Sequence, residues 1–90
     1  MDSIKKPIKL GVLASGRGTD LQSIIDAAAE KKIDATVDLV ISDRENAYAL
    51  ERARNHHITR YFVDPKHKTR EDIDNEIDTL LTEHHIDLVV

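Results

Sequence analysis

Cysteine and tryptophan are absent from this chain, and its 90 residues hold only three aromatics, Tyr48, Tyr61 and Phe62. Without cysteine there are no disulfides and no thiolate metal sites, and nothing points to an oxidising compartment. Three scattered aromatics make no platform on which nucleic-acid bases stack. A formal net charge of −4 also argues against a general nucleic-acid binder. No apolar run approaches the ~18 residues of a bilayer span, so no membrane partner is expected. The start, Met1-Asp2-Ser3-Ile4-Lys5-Lys6-Pro7, has no apolar signal core, and a cytoplasmic location is expected. Repeats, low-complexity tracts and internal linkers are lacking as well. One domain is the upper bound, and a chain of this size buries roughly 60–65% of its unfolded surface.

What is present is an alternation of strand and helix signals. Ile8–Ser15 reads as a strand. Helix signals from about Asp20 to Lys31 place Leu21, Ile24, Ile25 and Ala28 on one face. Thr36–Ser42 is a second strand, Ala47–Asn55 a second helix with Asn46 as its N-cap and Ala47, Leu50 and Ala53 inward, and Thr59–Val63 a short third strand. Thr69-Arg70-Glu71-Asp72 resembles a capping box, with Asp where Glu or Gln is usual. A third helix, Arg70–His84, turns Ile73, Ile77, Leu80 and Leu81 inward, and Ile86-Asp87-Leu88-Val89-Val90 closes the chain as a fourth strand. Such alternation predicts an α/β fold. The expected architecture is a Rossmann-like doubly wound parallel sheet, four strands in order 3-2-1-4 with three helices. Residues 1–7 are expected to be a loose basic tail and 8–90 the folded unit. Ligands in open α/β sheets bind beyond the strands' carboxyl ends, where strand order reverses. That point falls between strands one and four, and strand four has no following loop here, so half of the expected site is missing.

The densest signal is Gly16-Arg17-Gly18-Thr19-Asp20-Leu21-Gln22, a glycine turn between the first strand and the first helix. Such a turn leaves backbone N–H groups aimed outward at the positive end of a helix dipole, a ready anion site. Thr19-x-x-Gln22 fits a capping box that starts the helix at Asp20. The amides of Gly18, Thr19, Asp20 and Leu21 are then candidate phosphate donors, and a capped turn without ligand is the plain alternative. The dinucleotide pattern fails at its third glycine, where Leu21 stands, and the P-loop pattern fails for want of Gly-Lys-Ser/Thr. Asp43, after strand two, is in reach of an acidic ribose-partner role. Asp20 complicates phosphate binding: a carboxylate about 5 Å from a phosphate charge costs about 0.8 kcal/mol in water and about 3 at an effective dielectric of 20. Arg17 offsets part of this.

His56-His57 and His84-His85 fall near helix C-termini, where imidazolium suits the dipole. Neighbours on one element point apart, so no metal site is expected. Lys66, Lys68 and Arg70 form a basic stretch suited to an anionic ligand tail. The acids of the third helix, Asp74 among them, read mostly as its wet face. No Ser/His/Asp constellation or carboxylate pair is assignable as catalytic.

Ser15-Gly16-Arg17-Gly18-Thr19-Asp20-Leu21-Gln22-Ser23-Ile24-Ile25 is similar to the Ser-Gly-x-Gly-Ser/Thr-Asn/Asp-Leu-Gln-x-Ile loop of the phosphoribosylglycinamide formyltransferases of purine biosynthesis. Ile41-Ser42-Asp43, Leu50-Glu51-Arg52-Ala53 and Thr69-Arg70-Glu71 follow in the family's order and spacing. The resemblance covers about Ile8 to Val90 and the N-terminal half of the family. It implies transfer of a formyl group from 10-formyltetrahydrofolate to the amine of glycinamide ribonucleotide, without a metal. It also implies that the backbone of Gly18, Thr19 and Asp20 holds the ribonucleotide phosphate, and that Arg70 approaches the folate's glutamate tail. The family's Asn, His and later Asp that carry the transfer lie beyond the fourth strand, so no catalytic residue is assigned here. A truncated enzyme, inactive by itself, is the resulting expectation. The alternatives are a stand-alone phosphate- or nucleotide-binding Rossmann-like module, and an assembly domain that self-associates through the exposed fourth strand or docks with a C-terminal half.

Overall fold

The computed structural model describes residues 7–14 and 19–90. The expected tail, apart from Pro7, and the turn residues Ser15, Gly16, Arg17 and Gly18 lie outside the described residues. Seven elements follow in order: β1 (Ile8–Leu13), α1 (Thr19–Ala29), β2 (Ala35–Ser42), α2 (Tyr48–Asn55), β3 (Thr59–Phe62), α3 (Arg70–Glu83) and β4 (Leu88–Val89). All pairings are parallel, and the sheet order is β3-β2-β1-β4, as the alternation predicts.

Two apolar clusters hold helices to opposite faces of the sheet. Val12 and Val40 meet Leu21 and Ile25 of α1 and Ala49 and Ala53 of α2. Leu39, Ile41 and Val63 meet Ile73, Ile77, Leu80 and Leu81 of α3. This division depends on an irregularity in β2. Leu10 pairs with Val37 but Gly11 with Leu39, so Asp38 is the extra residue of a bulge. Val37 and Val40 thereby share the α1–α2 face, while Leu39 and Ile41 take the other. Gly11 faces α3. A Cβ there would lie 3.0 Å from Leu81 Cδ2 and 3.1 Å from Ile86 Cγ2, so the close approach of α3 requires glycine.

The third helix starts as expected. Thr69 Oγ1 accepts from the Asp72 amide at 3.0 Å, and Asp72 Oδ2 accepts from the Thr69 amide at 3.3 Å. The expected cap of α2 does not form. The N-cap of α2 is Ala47, not Asn46, and no side chain caps it; Ala49 takes the buried place expected of Ala47. Helix α1 begins at Thr19 rather than Asp20, and the expected Thr19–Gln22 capping box falls on the Thr19 side chain and the turn before it, outside the described residues. Gln22 Oε1 accepts from Arg52 Nη1 at 3.1 Å, and its Nε2 donates to Asp26 Oδ1 at 2.9 Å and lies 3.4 Å from His56 Nε2. Gln22 therefore ties α1 to α2.

Strand β4 is shorter than expected but anchored beyond its ends. The Asp87 amide donates to Lys9 O at 2.8 Å, and Asp87 Oδ2 accepts from the Lys9 amide at 2.9 Å. Val90 exchanges backbone bonds with Gly11 O at 2.9 Å and the Leu13 amide at 3.0 Å. Leu88, Val89 and Val90 remain exposed.

Candidate functional site

In a parallel sheet every following helix starts at the strands' carboxyl edge. The starts of α1 and α3 therefore share that edge here. Thr19 and Asp20 are the first two residues of α1, and the Asp20 side chain is exposed. Of the three residues assigned to the phosphate, Gly18 lies outside the described residues. Thr19 and Asp20 stand where the orphan amides of a helix start face outward.

Arg70 opens α3 and lines an open cleft of about 500 Å³ at the same edge. Leu13 and Ile41 at the ends of β1 and β2, with Ile73 and Ile77 of α3, form its apolar walls. Asp43 and Asp74 flank Arg70. Asp74 is exposed, as expected of the wet face of α3, and also borders this open cleft. The basic stretch is also altered. Lys68 Nζ pairs with Glu76 Oε2 at 2.8 Å, so part of its charge is spent within the chain. The Lys66 amide is held by Asp64 Oδ1 at 2.9 Å, which closes the turn through Pro65. Among the described residues Arg70 is the cation that lines the cleft.

An arginine in the first turn of a helix opposes the dipole, at about 0.3–1 kcal/mol. Glu71 and Asp72, also in that turn, offset it. Ser42, buried at the end of β2, accepts from the Arg44 amide at 3.1 Å and so shapes the turn that carries Asp43.

The histidines lie elsewhere. His56 and His84 are the C-caps of α2 and α3, at the sheet's amino edge, and His84 Nε2 is 3.2 Å from Tyr61 Oη. Among the described residues no group of three or more His, Asp or Glu is placed to share a metal ion. Among them, too, no helix is long and apolar enough to cross a membrane. Sequence reasoning missed the Gln22–Arg52 pairing and the cleft position of Asp74, because both depend on contacts between distant segments.

This arrangement has close counterparts. Residues 8–90 match the profile of the formyl transferase family. The phosphoribosylglycinamide formyltransferase of Dictyostelium discoideum is 42% identical over 88 residues, covering 88% of this chain and 43% of that protein. The trifunctional purine biosynthetic protein adenosine-3 of Homo sapiens is 36% identical over 86 residues, covering 94% of this chain and 8% of that one. The crystal structure of glycinamide ribonucleotide transformylase 1 from Symbiobacterium toebii superposes with a TM-score of 0.88 at 41% identity, over 93% of this chain and 40% of that one. The chain thus spans about two-fifths of the length of the single-function relatives, and the shared part is their N-terminal portion. By fold, by sequence and along almost its whole length, this chain belongs to the formyl transferase family.

Proposed function

We propose that this chain is the substrate-phosphate-binding portion of a glycinamide ribonucleotide transformylase. The observation that carries the reading is that α1 follows β1 and starts at the sheet's carboxyl edge, in a chain matched to the family from residue 8 to residue 90. The amides of Gly18, Thr19 and Asp20 hold the ribonucleotide's phosphate. Backbone donors tolerate side-chain change, so Asp20 weakens the site without removing it.

The co-substrate in this reading is 10-formyltetrahydrofolate, which supplies the formyl carbon. The cleft fits such a molecule in kind: apolar walls from Leu13, Ile41, Ile73 and Ile77 suit a flat heterocycle, and Arg70 suits the carboxylates of its glutamate tail. Holding that arginine against the dipole of α3 supports a ligand-facing role for it. Asp43 and Asp74 limit the net attraction for anions.

The residues that transfer the formyl group belong to the family's remaining length, beyond β4. The exposed rim of Leu13, Leu88, Val89 and Val90 is where a C-terminal half docks in this reading. A cytoplasmic location belongs to the same proposal. Mixed with glycinamide ribonucleotide and 10-formyltetrahydrofolate, the 90-residue chain alone is expected to give no transfer. Turnover above background that disappears on Gly18→Ala would overturn the assignment of catalysis to the other half.

A further inference from the structure

Two of the stretches that carry the family resemblance meet on the sheet face opposite α3. Gln22 is the fourth residue of α1 and Arg52 lies midway along α2. They are thirty residues apart, and Arg52 Nη1 donates to Gln22 Oε1 at 3.1 Å. Neither has a part in the phosphate or folate sites described so far. Both are half-buried. The other end of the Gln22 amide is engaged as well: Nε2 donates to Asp26 Oδ1 at 2.9 Å and lies 3.4 Å from His56 Nε2. Only one orientation of this amide satisfies its neighbours. A guanidinium is donor-only and a carboxylate acceptor-only, so the oxygen must face Arg52 and the nitrogen Asp26.

We infer, on the basis of the phosphate site proposed above, that Arg52 is its positioning residue: held to Gln22, it fixes the rotation of α1 and so the aim of the amides at that helix's start. Packing alone determines that rotation less well. Leu21 and Ile25, 1% and 7% exposed, set how deeply α1 sits on the sheet. Apolar burial is non-directional and tolerates a small roll of the helix. Gln22 lies about 100° around the helix from Leu21, and a directional bond there resists the roll. A roll of about 20° moves a Cα, about 2.3 Å from the axis, by about 0.8 Å. N–H···O hydrogen bonds live within about 2.7–3.2 Å, so such a displacement exceeds the window in which a phosphate oxygen is held.

Arg52 acts here through the bond and not through its charge, and the two contributions are separable. Arg54 is the second arginine of α2, exposed and 3.7 Å from Glu51. Arg54→Ala removes the same charge from the same helix and leaves the Gln22 bond in place. Gln22→Met does the converse: it deletes the bond and keeps both the charge of Arg52 and the volume of the side chain. Arg52→Lys keeps the charge and a donor within reach of Gln22 Oε1.

NMR titration of each variant with glycinamide ribonucleotide reads the affinity, with folding verified from the dispersion of the same spectra. Arg52→Ala and Gln22→Met are each expected to weaken binding about three- to tenfold. The two together are expected to do no more, because they break one bond. Arg52→Lys is expected to retain most of the affinity, and Arg54→Ala to stay within about twofold of wild type. Gln22→Met keeps the test standing if Arg52→Ala does not fold. Unchanged affinity in Arg52→Ala and Gln22→Met, equal losses in Arg52→Ala and Arg54→Ala, or additive losses in the double variant would each overturn the inference and leave the phosphate site standing. A wild-type chain that takes up no ribonucleotide would overturn the phosphate site itself, and this role of Arg52 with it.

Discussion

Lys31, His57 and His85 hold φ angles of 59°, 58° and 54°, in the left-handed region that side chains disfavour. Each is the residue just past a helix's C-cap, and each helix closes in the same way. The His57 amide donates to Arg54 O at 3.1 Å and the Ile58 amide to Ala53 O at 2.8 Å. The pairs His85 to Thr82 and Ile86 to Leu81, and Lys31 to Ala28 and Lys32 to Ala27, repeat the pattern. This is the Schellman closure, which usually carries glycine at that position. The paired histidines of the sequence are thus accounted for by helix ends: one caps, and the next turns the chain. Glycine relieves the strain at some cost in unfolded-state entropy. His57→Gly and His85→Gly are each expected to stabilise the fold by about 0.5–1 kcal/mol. Urea unfolding monitored by circular dichroism checks this. An unchanged or lowered midpoint would show that the histidine side chains contribute more than the backbone strain costs.

Element by element, the sequence was most legible where the signal is local. The apolar faces of α1 and α3 follow from periodicity within single segments, and the order β3-β2-β1-β4 from strand–helix alternation with right-handed crossovers. The cap of α3 is equally local: Thr69 and Asp72 are three residues apart and need no distant partner. Thr69→Ala removes that cap and is expected to cost about 1 kcal/mol. Thermal melts read the loss, and Thr69→Ser is expected to keep most of the stability; equal melting of the Ala and Ser variants would refute the cap's contribution. Legibility failed where a side chain had a choice of partners. Gln22 bonds Arg52, thirty residues away, a contact that no local spacing announces. Asn46 is a good capping type, but the backbone turns into α2 one residue later, at Ala47. Asp38 reads as an ordinary polar strand position, and only pairing with β1 makes it a bulge. Asp74 is exposed, as helical periodicity predicts, but periodicity does not place it at the cleft. It borders the cleft because α3 meets the ends of β1 and β2 there. The phosphate turn was the clearest site signal in the sequence, and its Gly18 lies outside the described residues.

Across the whole molecule, the two edges of the sheet have different chemistry. The β4 edge is aliphatic, with Leu88, Val89 and Val90 exposed, and suits continuation of the transformylase fold. The β3 edge holds the aromatics Tyr48, Tyr61 and Phe62 with Glu45, Glu51, Arg54 and Arg60 around them. Between them, the carboxyl ends of β1 and β2 bring the start of α1 and the Arg70 cleft to one side. The central claim is that this side is a surviving half-site for glycinamide ribonucleotide. The most direct measurement is an NMR titration of the chain with that ribonucleotide, with inorganic phosphate and NAD as controls. The account predicts amide shifts confined to residues 16–21, larger for the ribonucleotide than for either control. A preference for NAD, or no shift with any of the three, would contradict it.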